Sequence, residues 1–166
     1  MQIKHLKPIA LSSKYGDGKV FGQPLAKKSI VLVEIETENG LKGVGETYSG
    51  VYLPELVIDA INFFSKLLIG LDIDDSDKIS KIKDIPYVGR SGLLLSAWSA
   101  IDIAIWDIRS KFKNKPLYEL LSNKFSSEKK IYSSGGSVVF SPKQIEDDIK
   151  KSLDLGHESF KMRVGY

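Results

Sequence analysis

Two cations lie near the carboxyl end of the chain, in the segment Phe160–Arg163 (FKMR). Side chains alternate between the two faces of a strand, so Lys161 and Arg163 share one face and Met162 lies on the other. A buried face carrying both cations needs an anion to meet them: a substrate carboxylate, a metal-bound oxyanion or an acidic side chain. The alternative is that this strand end is simply solvated. The segment therefore indicates either carboxylate chemistry or no chemistry at all.

Other residues of reactive type have weaker patterns. Asp102 and Asp107 are five residues apart on one predicted helix and lie on different faces of it. We interpret them as structural acids, paired with Arg109 or with a lysine of a neighbouring segment, rather than as an acid–base pair. His5 and His157 are isolated in the sequence and indicate no metal site.

Two glycine patterns also fall short of a binding motif. Gly16, Gly18 and Gly22 are not bracketed by the strand and helix that a dinucleotide-binding fingerprint requires. The pair Gly135-Gly136 is interpreted as a bend in a strand rather than as a phosphate cradle. Neither pattern predicts a nucleotide or phosphate site.

Alternating apolar residues and turn signals predict a three-stranded antiparallel meander at the start of the chain. The predicted strands are Ile3–Ser12, Ser29–Thr37 and Leu41–Tyr48. The pair Asn39-Gly40 favours a type I′ hairpin turn. The long connection Lys14–Lys27, rich in Gly and Pro, is either a binding lid or disordered.

A helical layer follows the meander. Apolar residues at intervals of three and four, together with caps and prolines, predict helices after Pro54 up to Gly70, over Ser76–Lys83, over Leu93–Phe112 and over Leu117–Leu121. The third is apolar almost all round, so we expect it to be the central buried helix.

The last part of the chain reads as a strand–helix–strand unit. Lys130–Phe140 and Glu158–Val164 are predicted strands, and Pro142–Leu155 is the predicted helix between them, with Ser141 as its N-cap. Such a unit implies a parallel pair with its helix outside the sheet. We therefore predict one α+β domain over residues 1–127 and the start of a (β/α) barrel over residues 128–166.

Composition excludes several classes of function. The net charge is only +3, and the basic residues are spread along the chain rather than gathered into a stripe, which does not favour nucleic-acid binding. The sequence has no cysteine, so disulfides, a thiolate nucleophile and sulfur-ligated metals are excluded. It has no uncharged apolar run approaching the roughly 18 residues of a membrane span. We expect a soluble protein of the cytoplasm.

The order of these elements and three sequence segments resemble the enolase superfamily, in its mandelate racemase and muconate-lactonizing branch. The segments are Leu41–Thr47 (LKGVGET), the helix Ala97–Lys111 followed by Lys115–Leu121 (KPLYELL), and Phe160–Arg163. The resemblance spans essentially the whole chain. It implies an α+β capping domain, a three-stranded antiparallel meander plus helices, followed by an incomplete (β/α) barrel segment.

The resemblance also implies chemistry: removal of the proton α to a carboxylate, with Mg²⁺ stabilising the resulting anion. Lys161 and Arg163 occupy the positions at which the family has a Lys-x-Lys or Lys-x-Arg pair, at the end of the second barrel strand. A guanidinium stays protonated at neutral pH and is a poor base. The expectation is therefore Lys161 as base or carboxylate contact and Arg163 as its electrostatic partner, with Arg163 as an activated base the alternative.

The family's capping loops correspond to Lys14–Lys27 and Thr47–Leu53 and close over the distal end of the substrate. Tyr15, Tyr48 and Tyr52 are the expected substrate-binding residues, with Ser134 a weaker candidate, and plain packing roles are the alternative. Polar tyrosines lean towards a hydroxylated sugar acid. An acid-sugar dehydratase, racemase or cycloisomerase is implied, acting as a homo-oligomer.

A complete TIM barrel needs roughly 250 residues, far more than residues 128–166 supply. The family's metal ligands lie on later barrel strands, so we expect no Mg²⁺ ligand here and no turnover by these 166 residues alone. A noncatalytic capping module that binds a partner or dimerises is the alternative from a different class.

Overall fold

The computed structural model describes residues 1–14, 27–84, 91–126, 128–137 and 140–164. The strands are β1 Ile3–Lys14, β2 Lys27–Thr37, β3 Lys42–Thr47, β4 Ser133–Ser134 and β5 Phe160–Lys161. The helices are α1 Pro54–Leu68, α2 Ser76–Ile82, α3 Leu93–Lys113, α4 Leu117–Leu121 and α5 Pro142–Asp154, with a 3₁₀ turn at Tyr48–Gly50. The chain divides into two compact units, Met1–Asn123 and Lys124–Tyr166. The division falls slightly before the boundary expected after residue 127, which stays a prediction.

The first unit contains the predicted antiparallel meander, with strand order β1-β2-β3. Every second residue of β2 is buried, because one face of the sheet packs against helices and the other is more open. The fold class predicted from the sequence, three antiparallel strands plus helices, is confirmed. β1 and β2 run to Lys14 and from Lys27, so both ends of the predicted connection are strand; residues 15–26 lie outside the described part of the chain.

The turn between β2 and β3 differs from the predicted type I′. Gly40 has φ +82°, but Asn39 is not in the left-handed region, and a type I′ turn requires both central residues there. Gly40 N–H donates to Thr37 C=O (2.9 Å) and Thr37 N–H to Leu41 C=O (3.0 Å). The loop is therefore a turn closed by a left-handed glycine, and only Gly40 is conformationally demanding.

The core of the first unit lies between the sheet and helices α1 and α3. Residues Ala97, Ala100, Ile101, Ala104, Ile105 and Ile108 of α3 are fully buried. α3 crosses β3 at backbone contact: a methyl group placed on Gly45 would lie 1.9 Å from Ala100 O, and one on Gly43 would lie 2.2 Å from Ala104 O. The helix expected to be central is indeed the buried one, and glycine and alanine allow it to approach the sheet this closely.

The second unit is a βαβ arrangement in which β4 and β5 are parallel and α5 connects them. Ser141 caps α5 by accepting from Gln144 N–H, and the Gln144 side chain accepts from Ser141 N–H at 2.8 Å, which completes a capping box. The strands predicted over Lys130–Phe140 and Glu158–Val164 were too long, since only two residues of each form a ladder. The Gly-Gly bend directly after Ser134 ends the regular pairing.

Candidate functional site

The carboxyl ends of β4 and β5 bring two of the predicted site residues together. Ser134 and Lys161 are direct partners in the parallel ladder, so their side chains project from the same face of the sheet. Gly135 N–H donates to Lys161 C=O at 3.1 Å and continues the ladder past Ser134. Ser134 and Lys161 therefore lie side by side at the ends of the two strands.

The next hydrogen bond shifts by one residue. A regular parallel ladder would pair Arg163 N–H with Gly135 C=O, but Arg163 N–H donates to Gly136 C=O at 3.1 Å. Gly136 has φ +61°, which accommodates the extra residue. The predicted Gly-Gly bend is thus confirmed, and it sets where the backbone of Arg163 lies.

The bend and Arg163 line an open cavity of about 250 Å³, together with Ser134, Ser137, Phe140 and Asp148. Gly136 N–H donates to Oδ2 of Asp148, a residue of α5, at 3.3 Å. Asp148 is not among the site residues predicted from the sequence. Its only signal in the sequence is that it is one of three consecutive acids, and only the fold shows which of them reaches the bend.

Lys161 faces away from α5. A methyl group on Gly135 would lie 3.0 Å from Phe160 Cζ and 3.1 Å from Asp148 Oδ2, so Phe160 projects towards the side of α5. Because side chains alternate along a strand, Lys161 projects from the opposite face, where barrel folds place their interior. Lys161 is exposed.

No carboxylate in the described part of the chain neutralises either cation of the site. Within the described ranges, no ion pair within 4.0 Å and no side-chain hydrogen bond involves Lys161 or Arg163. Exposed ammonium and guanidinium groups without an internal partner are available to an anion from solution. The arrangement can bind a carboxylate; the catalytic roles expected for the two residues remain predictions.

The predicted capping segment Thr47–Leu53 belongs to the first unit. Tyr48 is exposed and stands next to Lys28, whose Nζ lies 5.4 Å from the centre of its ring, a contact the sequence did not reveal. Gly50 is buried against β2, because a methyl group there would lie 2.5 Å from Val31 Cγ2. This packing anchors the segment that carries Tyr48.

The other two tyrosines differ from Tyr48. Tyr52 is half-buried. Tyr15 lies outside the described residues, as does most of the connection predicted to be either a lid or disordered. Substrate contact by any of the three tyrosines stays a prediction.

Pairing with Arg109 or with a lysine of a neighbouring segment was expected for the two acids of α3, but of the two only Asp107 forms an ion pair among the described residues, with Lys111 of its own helix. Asp107 Oδ2 accepts from Val44 N–H at 2.9 Å and from Lys111 Nζ at 2.7 Å. Asp102 is half-buried beside Lys83 and Arg109, and burial raises its pKa above the usual value although both cations oppose the shift. Asp107 therefore covers the edge of β3, whereas Asp102 has no ion pair within 4.0 Å among the described residues.

The described residues form neither a metal-binding cluster nor a membrane-spanning helix. In the described part of the chain, no group of three or more His, Asp or Glu side chains is placed to hold a metal ion. Asp148, the carboxylate beside the bend at the ends of β4 and β5, is engaged with Gly136 N–H. Among the described helices, none is long and apolar enough to cross a bilayer.

Residues 20–122 match the family model "Mandelate racemase / muconate lactonizing enzyme, N-terminal domain". The chain belongs to this family. The match covers β2, β3 and the helices α1 to α4 of the first unit, including Tyr48 and Tyr52. It confirms the family that the sequence segments resembled.

Curated relatives of this mandelate racemase-type chain extend the match into the second unit. L-Talarate/galactarate dehydratase from Salmonella typhimurium is 31% identical over 162 residues, which is 95% of this chain and 41% of the relative. D-Galactarolactone cycloisomerase from Agrobacterium fabrum is 29% identical over 145 residues, 84% of this chain and 38% of the relative. The chain thus spans about two fifths of the length of these relatives.

Solved structures agree with this family membership. The Salmonella L-talarate/galactarate dehydratase liganded with Mg and L-lyxarohydroxamate superposes with a TM-score of 0.83 and 26% identity, over 99% of this chain and 44% of that one. The 3,6-anhydro-D-galactonate cycloisomerase from Zobellia galactanivorans gives a TM-score of 0.81 at 26% identity, over 99% of this chain and 43% of that one.

Proposed function

We propose that this chain supplies the capping domain and the first catalytic strand ends of an enzyme that removes the proton α to the carboxylate of a sugar acid. The observation that carries the proposal is the pairing of Ser134 with Lys161 at the carboxyl ends of two parallel strands. Catalytic groups of barrel enzymes lie at these ends. Similarity to an acid-sugar dehydratase and a cycloisomerase supports sugar acids as the substrate class.

The two cations of the strand ends have different roles in this proposal. Lys161 contacts the substrate carboxylate or accepts the α proton, because an amine can lose its own proton whereas a guanidinium cannot at neutral pH. Arg163 remains protonated and stabilises the negative charge that develops as the C–H bond breaks. In a dehydration, the bond between the β carbon and its hydroxyl then breaks, and the hydroxyl leaves as water by taking a proton from a general acid, either the Lys161 ammonium that received the α proton or an acid of further polypeptide.

Magnesium does not fit the described residues of this chain. It would neutralise the developing oxyanion in a complete enzyme, as metal ions do in carboxylate chemistry. The described residues offer no cluster of acids to hold it. An enzyme built on this chain would therefore take its metal ligands from further polypeptide, and we expect the 166 residues alone to exchange no α proton.

A chimaera tests the proposal. This chain replaces the matching 162-residue segment of the Salmonella dehydratase, and exchange of the galactarate α proton is followed by NMR in D₂O with Mg²⁺. We expect exchange by the chimaera and none by the 166-residue chain alone. Lys161→Met should reduce exchange by a factor of about 100 or more, the usual loss of a positioned base or carboxylate contact.

Lys143→Met provides the matched control, since Lys143 is an exposed lysine of the same unit that pairs with Asp147 on α5. It should leave the exchange rate unchanged. If the Lys161→Met chimaera exchanges the α proton as fast as the unsubstituted chimaera, the role proposed for Lys161 is refuted. Exchange by the 166-residue chain alone would show that a metal site can be completed without further polypeptide. A folded chimaera that exchanges no acid-sugar proton would contradict the proposed function.

A further inference from the structure

Three consecutive acids on α5 have different environments. Glu146 Oε1 pairs with Lys150 Nζ at 2.7 Å, and Asp147 Oδ1 pairs with Lys143 Nζ at 3.0 Å, both on the helix surface. Asp148 makes no ion pair within 4.0 Å among the described residues. Its Oδ2 instead accepts from the backbone N–H of Gly136, in a partly buried contact of 3.3 Å. The acid that faces the strands thus accepts a hydrogen bond from a backbone N–H.

Gly136 is held through both of its backbone polar groups. Its N–H donates to Asp148, and its C=O accepts from Arg163 N–H at 3.1 Å. With φ +61°, it turns the chain so that this carbonyl, and not that of Gly135, meets Arg163. A half-buried backbone N–H without an acceptor is costly, so the carboxylate favours this turned conformation over one in which the N–H points elsewhere.

We propose that Asp148 is a positioning residue that acts on Arg163 through Gly136. The carboxylate holds the one-residue shift in the ladder, and the shift sets where Arg163 leaves the strand end. This inference rests on the proposed function, in which Arg163 stabilises the negative charge that develops on the substrate. Asp148 itself does not meet the substrate in this assignment, because its Oδ2 is occupied by Gly136.

A hydrogen bond to a carboxylate has a spectroscopic signature that does not depend on turnover. In the 166-residue chain, Asp148→Ala should move the amide proton resonance of Gly136 upfield and speed its exchange with solvent by roughly tenfold, because the N–H loses its acceptor. Asp147→Ala, which removes the neighbouring acid, should leave both quantities unchanged. A Gly136 amide that does not respond to Asp148→Ala would overturn the proposal, whatever the activity of the chimaera.

A double-mutant cycle in the chimaera tests whether Asp148 acts through Arg163. Asp148→Ala should lower the rate of α-proton exchange about tenfold, the effect of one lost charge-assisted hydrogen bond. Asp148→Asn should recover most of that rate, because its amide oxygen still accepts from Gly136 N–H, and Asp147→Ala should have no effect.

In an Arg163→Met background, Asp148→Ala should have little further effect, since the group that it positions is gone. An equal loss in both backgrounds would show a merely structural role and contradict the proposal. An inactive wild-type chimaera would instead count against the proposed function, and the response of the Gly136 amide to Asp148→Ala would still decide whether the contact exists.

Discussion

The two units of the chain differ in how closely their elements approach and in how many apolar residues they bury. In the first, α3 lies against β3 so closely that Gly43 and Gly45 leave no room for a side-chain carbon. In the second, the sheet consists of two paired residues on each strand, and Leu155 and Val164 remain 76% and 78% exposed. The apolar core of the described residues runs from Ile3 to Ile108, entirely within the first unit.

This difference separates the stable core from the residues proposed to be catalytic. The first unit buries its own apolar residues, so it has the means to fold on its own core. The second unit holds Lys161 and Arg163, which form no ion pair with the described residues and have little apolar burial around them. Groups that bind a ligand are drawn from the less stable parts of a structure, because those parts retain unsatisfied charge and exposed backbone. Three substitutions and one hydrogen-exchange measurement test this contrast.

The largest expected effect is on the first unit. Gly45→Ala places a methyl group 1.9 Å from Ala100 O, which α3 can relieve only by moving its backbone. We expect a loss of about 3 kcal/mol in the free energy of unfolding, the upper end for overpacking. Urea denaturation followed by circular dichroism measures it. Val44→Ala is the control, because Val44 lies between the two glycines with its side chain 43% exposed, and an equal loss there would refute the packing argument.

Hydrogen exchange compares the two units directly. Amides of α3 such as Ile101 and Ile105 are in the buried core and should exchange only through extensive unfolding. The amides of Gly135 and Arg163, which donate across the short ladder, should exchange at least about 100-fold faster. Equal protection in the two units would mean that the second unit is stabilised by interactions that its short strands do not reveal.

Asp107→Ala tests the edge of the first sheet. The substitution removes the acceptor of Val44 N–H and Lys111 Nζ, so we expect a loss of about 1 kcal/mol in unfolding free energy. Asp107→Asn retains one acceptor oxygen and should lose less. Denaturation curves of the three proteins decide the order. Stability unchanged in the alanine variant would show that water replaces the carboxylate without cost.

The smallest effect concerns Asp102. Burial raises the pKa of its carboxyl above 3.8, so the folded state binds the proton more tightly than the unfolded state does. The charged form therefore destabilises the fold at neutral pH, and this penalty is lost as pH falls through the raised pKa. Asp102→Asn should raise the melting temperature near neutral pH, and the difference should shrink towards pH 3.8. A gain independent of pH would rule out this ionisation as its cause.

Local patterns sufficed to predict most of the elements. Helical periodicity and caps placed α3 and α5 to within one residue, and alternation placed the three strands of the meander, because such signals reside in neighbouring residues. The type I′ turn was wrong because Gly40 alone takes the left-handed conformation, and an Asn-Gly pair is compatible with more than one type of turn. The long strands of the second unit were wrong because strand length depends on pairing with residues far along the chain.

The sequence by itself determined the family, the meander, the buried helix and the presence of two cations near the carboxyl end, since each depends on residue types at short spacing. Only the tertiary structure decided that Lys161 pairs with Ser134 and that Gly136 shifts Arg163 by one position. It also decided that Asp148, and not its neighbours in the acidic run, faces the strands. The physical reason is that three adjacent acids are equivalent in composition, and only the rotation of α5 over the sheet makes them different.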